Sequence, residues 1–161
     1  MAKILRDSLF INSILLNSEV WYHLSKSNIE ELEKLDNILL RKFLQVGNSV
    51  PTAMLHLELG TLPIRFILTT RRLMFLHYIL QEDEESLLFS FLLAQMEDPK
   101  DGDWLLTVKN EIEELKLDVA LSEIKQMSKK TFKNQVKTSV SREAFKWLSL
   151  NKTELNKVKN I

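Results

Sequence analysis

The chain has 161 residues, 45 % hydrophobic and 27 % charged, with 22 basic and 22 acidic side chains and a formal net charge of zero, the composition of one soluble globular domain. There is no Cys, which excludes disulfides, thiolate metal sites and cysteine nucleophiles. Three Gly and three Pro are too few for the tight turns of an all-β chain and predict long helices instead.

From the N-terminus, MAKILRDSLFINSILL reads as an amphipathic helix. Leu5, Leu9, Asn12, Leu16 and Val20 trace one face, and Ile4, Ile11, Leu15 and Trp21 widen the stripe. Asp7 and Asn12 lie where a signal peptide would be apolar, and no small-residue cleavage site follows, so an intracellular protein, nuclear or cytoplasmic, is predicted. The second helix should start at Ser25 or Ser27 as N-cap, with Glu30 and Glu31 in its first turn. Ile29, Leu32, Leu35 (or Asp36), Leu39 and Phe43 supply its face, and Glu30 precedes Lys34 by the favourable i,i+4 spacing. Its end is expected in QVGNSVP, with Gly47 as left-handed cap and Pro51 opening the next turn.

A short helix is predicted from Pro51 to Leu59, stopped by Gly60. Pro63 then starts a helix to Leu80 whose apolar face is Ile64, Ile67, Leu68, Leu73, Phe75 and Ile79. The acidic linker QEDEES leads to an apolar helix, Leu87–Met96, interrupted by Ser90 and Gln95. Even this longest apolar run is far short of the roughly 18 residues that span a membrane, so no membrane partner is predicted. EDPKDGDW reads as a loop, with Asp101 or Asp103 capping WLLTVKNEIEELKL. A shorter helix from about Val119 and a basic helix from Lys129 to about Leu150, capped by Ser128, complete the pattern, and the last ten residues are expected to fray. The predicted fold is all-α, a bundle-like array of about seven or eight helices in a single domain, 1–161.

Charge is unevenly spread. Residues 81–124 carry three basic and thirteen acidic side chains, whereas residues 125–161 carry ten basic and two acidic. A polyanion-binding end accounts for this, and so does mutual neutralisation of the two blocks within the fold. Lys125, Lys129, Lys133 and Lys137 recur every four residues, with Lys130 beside them. Such a row is mildly self-repelling on a helix but suits a phosphate backbone. The stripe Phe132, Val136, Val140, Ala144, Trp147 and Leu148 is the predicted core side of that helix. Arg65, Arg71 and Arg72 lie on an otherwise apolar helix, where they either contact phosphates or pair with acids of Glu82–Glu85 or Asp98–Asp103. His23, His56 and His77 lack the i,i+4 spacing of a helical zinc site, and no Gly-rich phosphate loop is present. No catalytic residue, metal ligand or cofactor is therefore predicted, and the three Trp are expected in the core.

Four motifs now stand in order: LNSEVW ending at Trp21, LQVGNSVP (Leu44–Pro51), ELGTLP (Glu58–Pro63) and the basic pair Arg71–Arg72. Together they resemble the region just after the catalytic palm in reverse transcriptases of LINE-type (non-LTR) retrotransposons. There a YGSEVW-like motif is followed by a helix, an LG-V-x-x-S-x-P turn, an ELG-x-x-P turn and a helix with paired basic residues. The resemblance covers about residues 5–125. It implies a thumb-like part, 1–97, and a basic C-terminal helical part, 98–161, that grip a template–primer duplex. The polymerase Tyr-x-Asp-Asp motif and the Cys-rich zinc knuckle of such proteins are absent, so the implied protein is not an enzyme by itself. The expected function is non-catalytic binding of a duplex or RNA/DNA hybrid, with Arg65, Arg71, Arg72, Lys125, Lys129, Lys130, Lys133 and Lys137 on phosphates. The alternative is a domesticated protein–protein interaction module. A severed thumb would also expose an apolar face, or bury it in a homodimer, around Phe10, Ile14 and Trp21.

Overall fold

Among the described residues there are eight helices and no strand. The computed structural model describes residues 1–22 and 24–158, with side chains as far as Leu150. His23 and residues 159–161 lie outside the described residues, and with them the last part of the segment expected to fray.

The first helix, α1, is not uniform. It runs as α-helix over Ala2–Leu5, as π-helix over Arg6–Ile11 and as α-helix again over Asn12–Ile14. Its buried side is Arg6, Ile11 and Leu15, while Leu5, Leu9, Leu16 and Val20 are exposed. Of the stripe expected from i,i+4 spacing, Ile11 and Leu15 are buried, whereas Leu5, Leu9, Leu16 and Val20 are not. Arg6 and Ile11 are five residues apart, a separation that shares one face where the bonding is i→i+5. Phe10, Ile14 and Trp21 are half-buried, and the exposed apolar residues of α1 are Ile4, Leu5 and Leu9, with Leu16 just beyond it. The helix is followed by left-handed Asn17 and a 3-10 turn, Ser18–Val20.

Helix α2 spans Lys26–Leu44, and Ser25 is its N-cap, accepting the Asn28 N–H at 3.1 Å. It ends two residues before Gly47: Gln45 is the left-handed cap, with its N–H on Lys42 O and the Val46 N–H on Arg41 O. Arg41 Nη1 also donates to Gly47 O and Val50 O, at 2.9 and 2.5 Å. The left-handed turn expected of Gly47 is thus taken by Gln45, and the Arg41 side chain holds the loop that follows. Helix α3, Thr52–Leu59, starts after Pro51 and stops at Gly60, whose φ of 58° is left-handed. Lys3 Nζ donates to Gly60 O at 2.8 Å, covering that helix end. Pro63 precedes α4, Ile64–Gln81.

Ser86 caps α5, Leu87–Glu97, accepting the Phe89 N–H at 3.1 Å. Helix α6, Trp104–Glu114, begins at Asp103, and the Gln95 side chain accepts its Leu105 N–H at 2.8 Å. Helix α7, Leu121–Gln126, and α8, Lys129–Val158, complete the chain. Ser128 accepts the Thr131 N–H at 3.2 Å as the α8 cap, and the helix continues past its expected end at Leu150.

The chain divides into two compact units. The first comprises Met1–Leu16, Leu24–Ile67 and Arg142–Ile161; the second comprises Asn17–His23 and Leu68–Ser141. Neither follows a division at residue 97. Buried Leu15, Leu40, Leu55, Ile64 and Leu148 belong to the first unit. Leu73, Leu76, Leu92, Leu105, Phe132 and Val136 belong to the second. Burial of each such side chain contributes about 1.5–3 kcal/mol before entropy is counted.

Candidate nucleic-acid interface

Neighbouring residues on a helix point about 100° apart, and this separates the arginine pair of α4. Arg72 points inward and is 4 % exposed. Its Nε donates to both Glu111 carboxylate oxygens at 3.0 Å, and its Nη2 also donates to Glu111 Oε1. Nη1 donates to Trp21 O at 3.3 Å, and Thr69 Oγ1 donates to the same Glu111 carboxylate at 2.9 Å. A guanidinium so saturated is an internal cross-brace of the second unit. Arg71 is half-exposed; its Nη1 donates to Ser18 Oγ at 3.3 Å, and it lines a cleft of about 660 Å³ together with Lys129.

Lys129, Lys130, Lys133 and Lys137 are all exposed on α8, and no ion pair involves them among the described residues. The opposite stripe, Phe132, Val136, Val140, Ala144 and Leu148, is buried, which orients the lysines outward. Lys125 is different. Met127 and Ser128 separate α7 from α8, so Lys125 is not on the same helix. It pairs with Glu84 at 3.5 Å and sits 4.9 Å from the Phe89 ring centroid.

No family model matches the chain, and no curated protein or solved structure does.

In the first unit, Arg65 is held by Glu33. Nε and Nη2 donate to its two carboxylate oxygens at 2.7 and 2.6 Å, and the guanidinium lies 5.1 Å from the Trp147 ring centroid. The hydrogen-bonded Glu33 carboxylate raises Arg65 above its ordinary pKa. Arg65 and Arg72 thus find acids, but Glu33 and Glu111 rather than the Glu82–Glu85 or Asp98–Asp103 clusters.

Sequence reasoning missed a second buried guanidinium. Arg6 donates from Nε and Nη2 to Asp36 at 2.7 and 2.5 Å, and from Nη2 to Leu62 O at 2.8 Å. Burial pushes the Asp36 carboxyl up, against the opposing pull of Arg6. The available signal was an Asp on the apolar side of α2, one residue after Leu35.

The two described histidines are interior. His56 Nδ1 is 3.0 Å from Thr61 Oγ1, and desolvation lowers its pKa to about 4, helped by Arg6 and opposed by Glu33. His77 Nε2 is 2.9 Å from Met127 O, and its ring stacks on Phe132 at 5.3 Å. Trp104 is buried, with Trp21 and Trp147 half-buried. Among the described residues no group of three or more His, Asp or Glu could hold a metal ion, and no helix is long and apolar enough to cross a membrane.

Proposed function

We propose that the protein binds nucleic acid without catalysing its synthesis, as a thumb-like module holding a duplex or RNA/DNA hybrid through phosphate contacts. The carrying observation is the row of exposed lysines on α8 that no ion pair involves among the described residues. Lys129, Lys133 and Lys137 repeat every four residues, about 6 Å apart along the axis, facing a polyanion with one charge per roughly 1.7 Å of duplex. Arg71 adds a half-exposed cation in the same unit. Arg65 and Arg72 serve this function indirectly, by bracing the helix that carries Arg71. Phosphate contacts of this kind position a duplex without reading its sequence.

The test is a salt titration of duplex binding. Log affinity should fall linearly with log salt, with a slope near 0.9 per neutralised phosphate for duplex DNA. Lys133→Ala/Lys137→Ala should make that slope shallower by about two, leaving sequence preference unchanged. Failure to detect any association with DNA, RNA or hybrid duplexes at low salt would end the proposal.

A second reading, a protein-interaction module, draws on α5. Leu87 is 85 % and Phe91 50 % exposed there, beside Leu88, Leu93 and Met96. Apolar surface of that kind marks interaction sites in soluble proteins. Sedimentation that shows self-association lost in Leu87→Ser/Phe91→Ser, alongside no nucleic-acid binding, would favour it.

A further inference from the structure

The cleft of the second unit has an aromatic face that phosphate contacts leave unused. Arg71, Met74, Phe75 and Tyr78 follow one another at helical spacing along α4 and line it, with Met127 from the α7–α8 connection and Lys129 from the start of α8. Three rings form a tower. Trp104 is fixed at the base by its indole N–H on Glu19 O at 2.8 Å and meets Phe75 edge-on at 5.7 Å and 83°. Phe75 in turn carries Tyr78, stacked at 6.0 Å and 15°. Tyr78 is 51 % exposed. Its stacking on Phe75 orders the outermost ring before any ligand arrives, which reduces the ordering cost of stacking on it.

Two cations from two different elements, Arg71 and Lys129, share the cleft with that ring. An exposed aromatic ring that shares a cleft with cationic side chains matches the chemistry of an unpaired nucleotide: base on the ring, phosphates on the cations. Paired bases inside a duplex have both faces covered by their neighbours and offer the ring nothing. Glu19, also on the wall, is an acceptor for a base N–H.

We propose that this cleft receives an unpaired base at a strand end, stacked on Tyr78 with its flanking phosphates on Arg71 and Lys129. The proposal rests on the nucleic-acid function above and adds a preference for duplexes with a single-stranded overhang.

The test is fluorescence anisotropy at one low salt concentration with three labelled probes: a blunt duplex, the same duplex with a short overhang, and that overhang made abasic. The wild-type protein should prefer the normal overhang. Tyr78→Ala should weaken its binding about 5- to 150-fold, the range for one stacked base, and leave blunt-duplex binding unchanged. Tyr78→Phe should retain the preference, because the ring and not the hydroxyl carries it. Unchanged thermal unfolding of both variants would confirm that folding is intact. Equal wild-type binding to blunt and overhang probes would overturn the inference and leave phosphate contact standing. So would an abasic overhang that binds as well as the normal one, or an equal loss on all probes in Tyr78→Ala. Absence of binding to every probe would overturn both.

Discussion

Acidification should weaken the fold through His56, by an amount the structure sets. The imidazole is 2 % exposed, its Nδ1 lies 3.0 Å from Thr61 Oγ1, and its pKa is about 4 instead of 6.5. In the unfolded chain the ring takes a proton below pH 6.5; in the folded protein it stays neutral until about pH 4. The unfolded state therefore binds more protons between those values, and stability falls as pH falls through that window. Each tenfold separation of the two ionisation constants is worth about 1.4 kcal/mol. The loss should be about 2 kcal/mol at pH 5 and approach about 3 kcal/mol near pH 4. Urea unfolding of wild type and His56→Gln between pH 7 and pH 4.5 measures this, because only the wild type carries the titrating ring. Asp36 has the opposite sign: its raised pKa favours the folded state as pH falls. It is present in both proteins and cancels in the difference. A wild-type minus variant difference that stays flat from pH 7 to pH 5 would refute the account.

Gly60→Ala should destabilise by about 1–2 kcal/mol, measured by thermal or urea unfolding. No atom lies within 4 Å of an added Cβ, so the effect would be conformational strain at φ 58° alone; an unchanged midpoint would sink that explanation. Arg72→Ala should cost about 3–5 kcal/mol, because it strands the buried Glu111 carboxylate. Arg72→Met/Glu111→Leu should recover most of that loss, and a double variant as unstable as the single one would show that the pair is more than a matched burial.

What was legible in the sequence was local chemistry. Pro51, Gly60 and Pro63 mark helix ends through fixed or left-handed backbone angles, and Ser25 and Ser128 through a hydroxyl facing free N–H groups. These need no knowledge of distant residues. The face of α1 was illegible because its inward residue, Arg6, is fixed by Asp36, thirty residues further along. The π-helical bonding that aligns Arg6 with Ile11 also breaks the period used to find a stripe. Gln45 displaced Gly47 as cap because Arg41 holds the following loop. The candidate site divided along the same line. The outward direction of Lys129, Lys133 and Lys137 follows from the apolar stripe opposite, which periodicity shows. The burial of Arg72 depends on Glu111, and an arginine on an apolar helix has the same sequence signature whether it faces solvent or an acid.

The composition of the first unit has a consequence for synthesis on the ribosome. Its parts are separated along the chain: Met1–Leu16 and Leu24–Ile67 are made early, and Arg142–Ile161 comes last. Arg65 is translated long before Trp147, on whose ring it rests. At translation rates of about 5–20 residues per second, the early segments wait roughly 4–15 s for the start of their final segment at Arg142. The second unit needs nothing beyond Ser141, so it can be completed while the first is still open. During that interval the Arg6–Asp36 pair, formed wholly from early residues, and the Lys3 bond to Gly60 O are contacts available to hold the nascent N-terminal segments together.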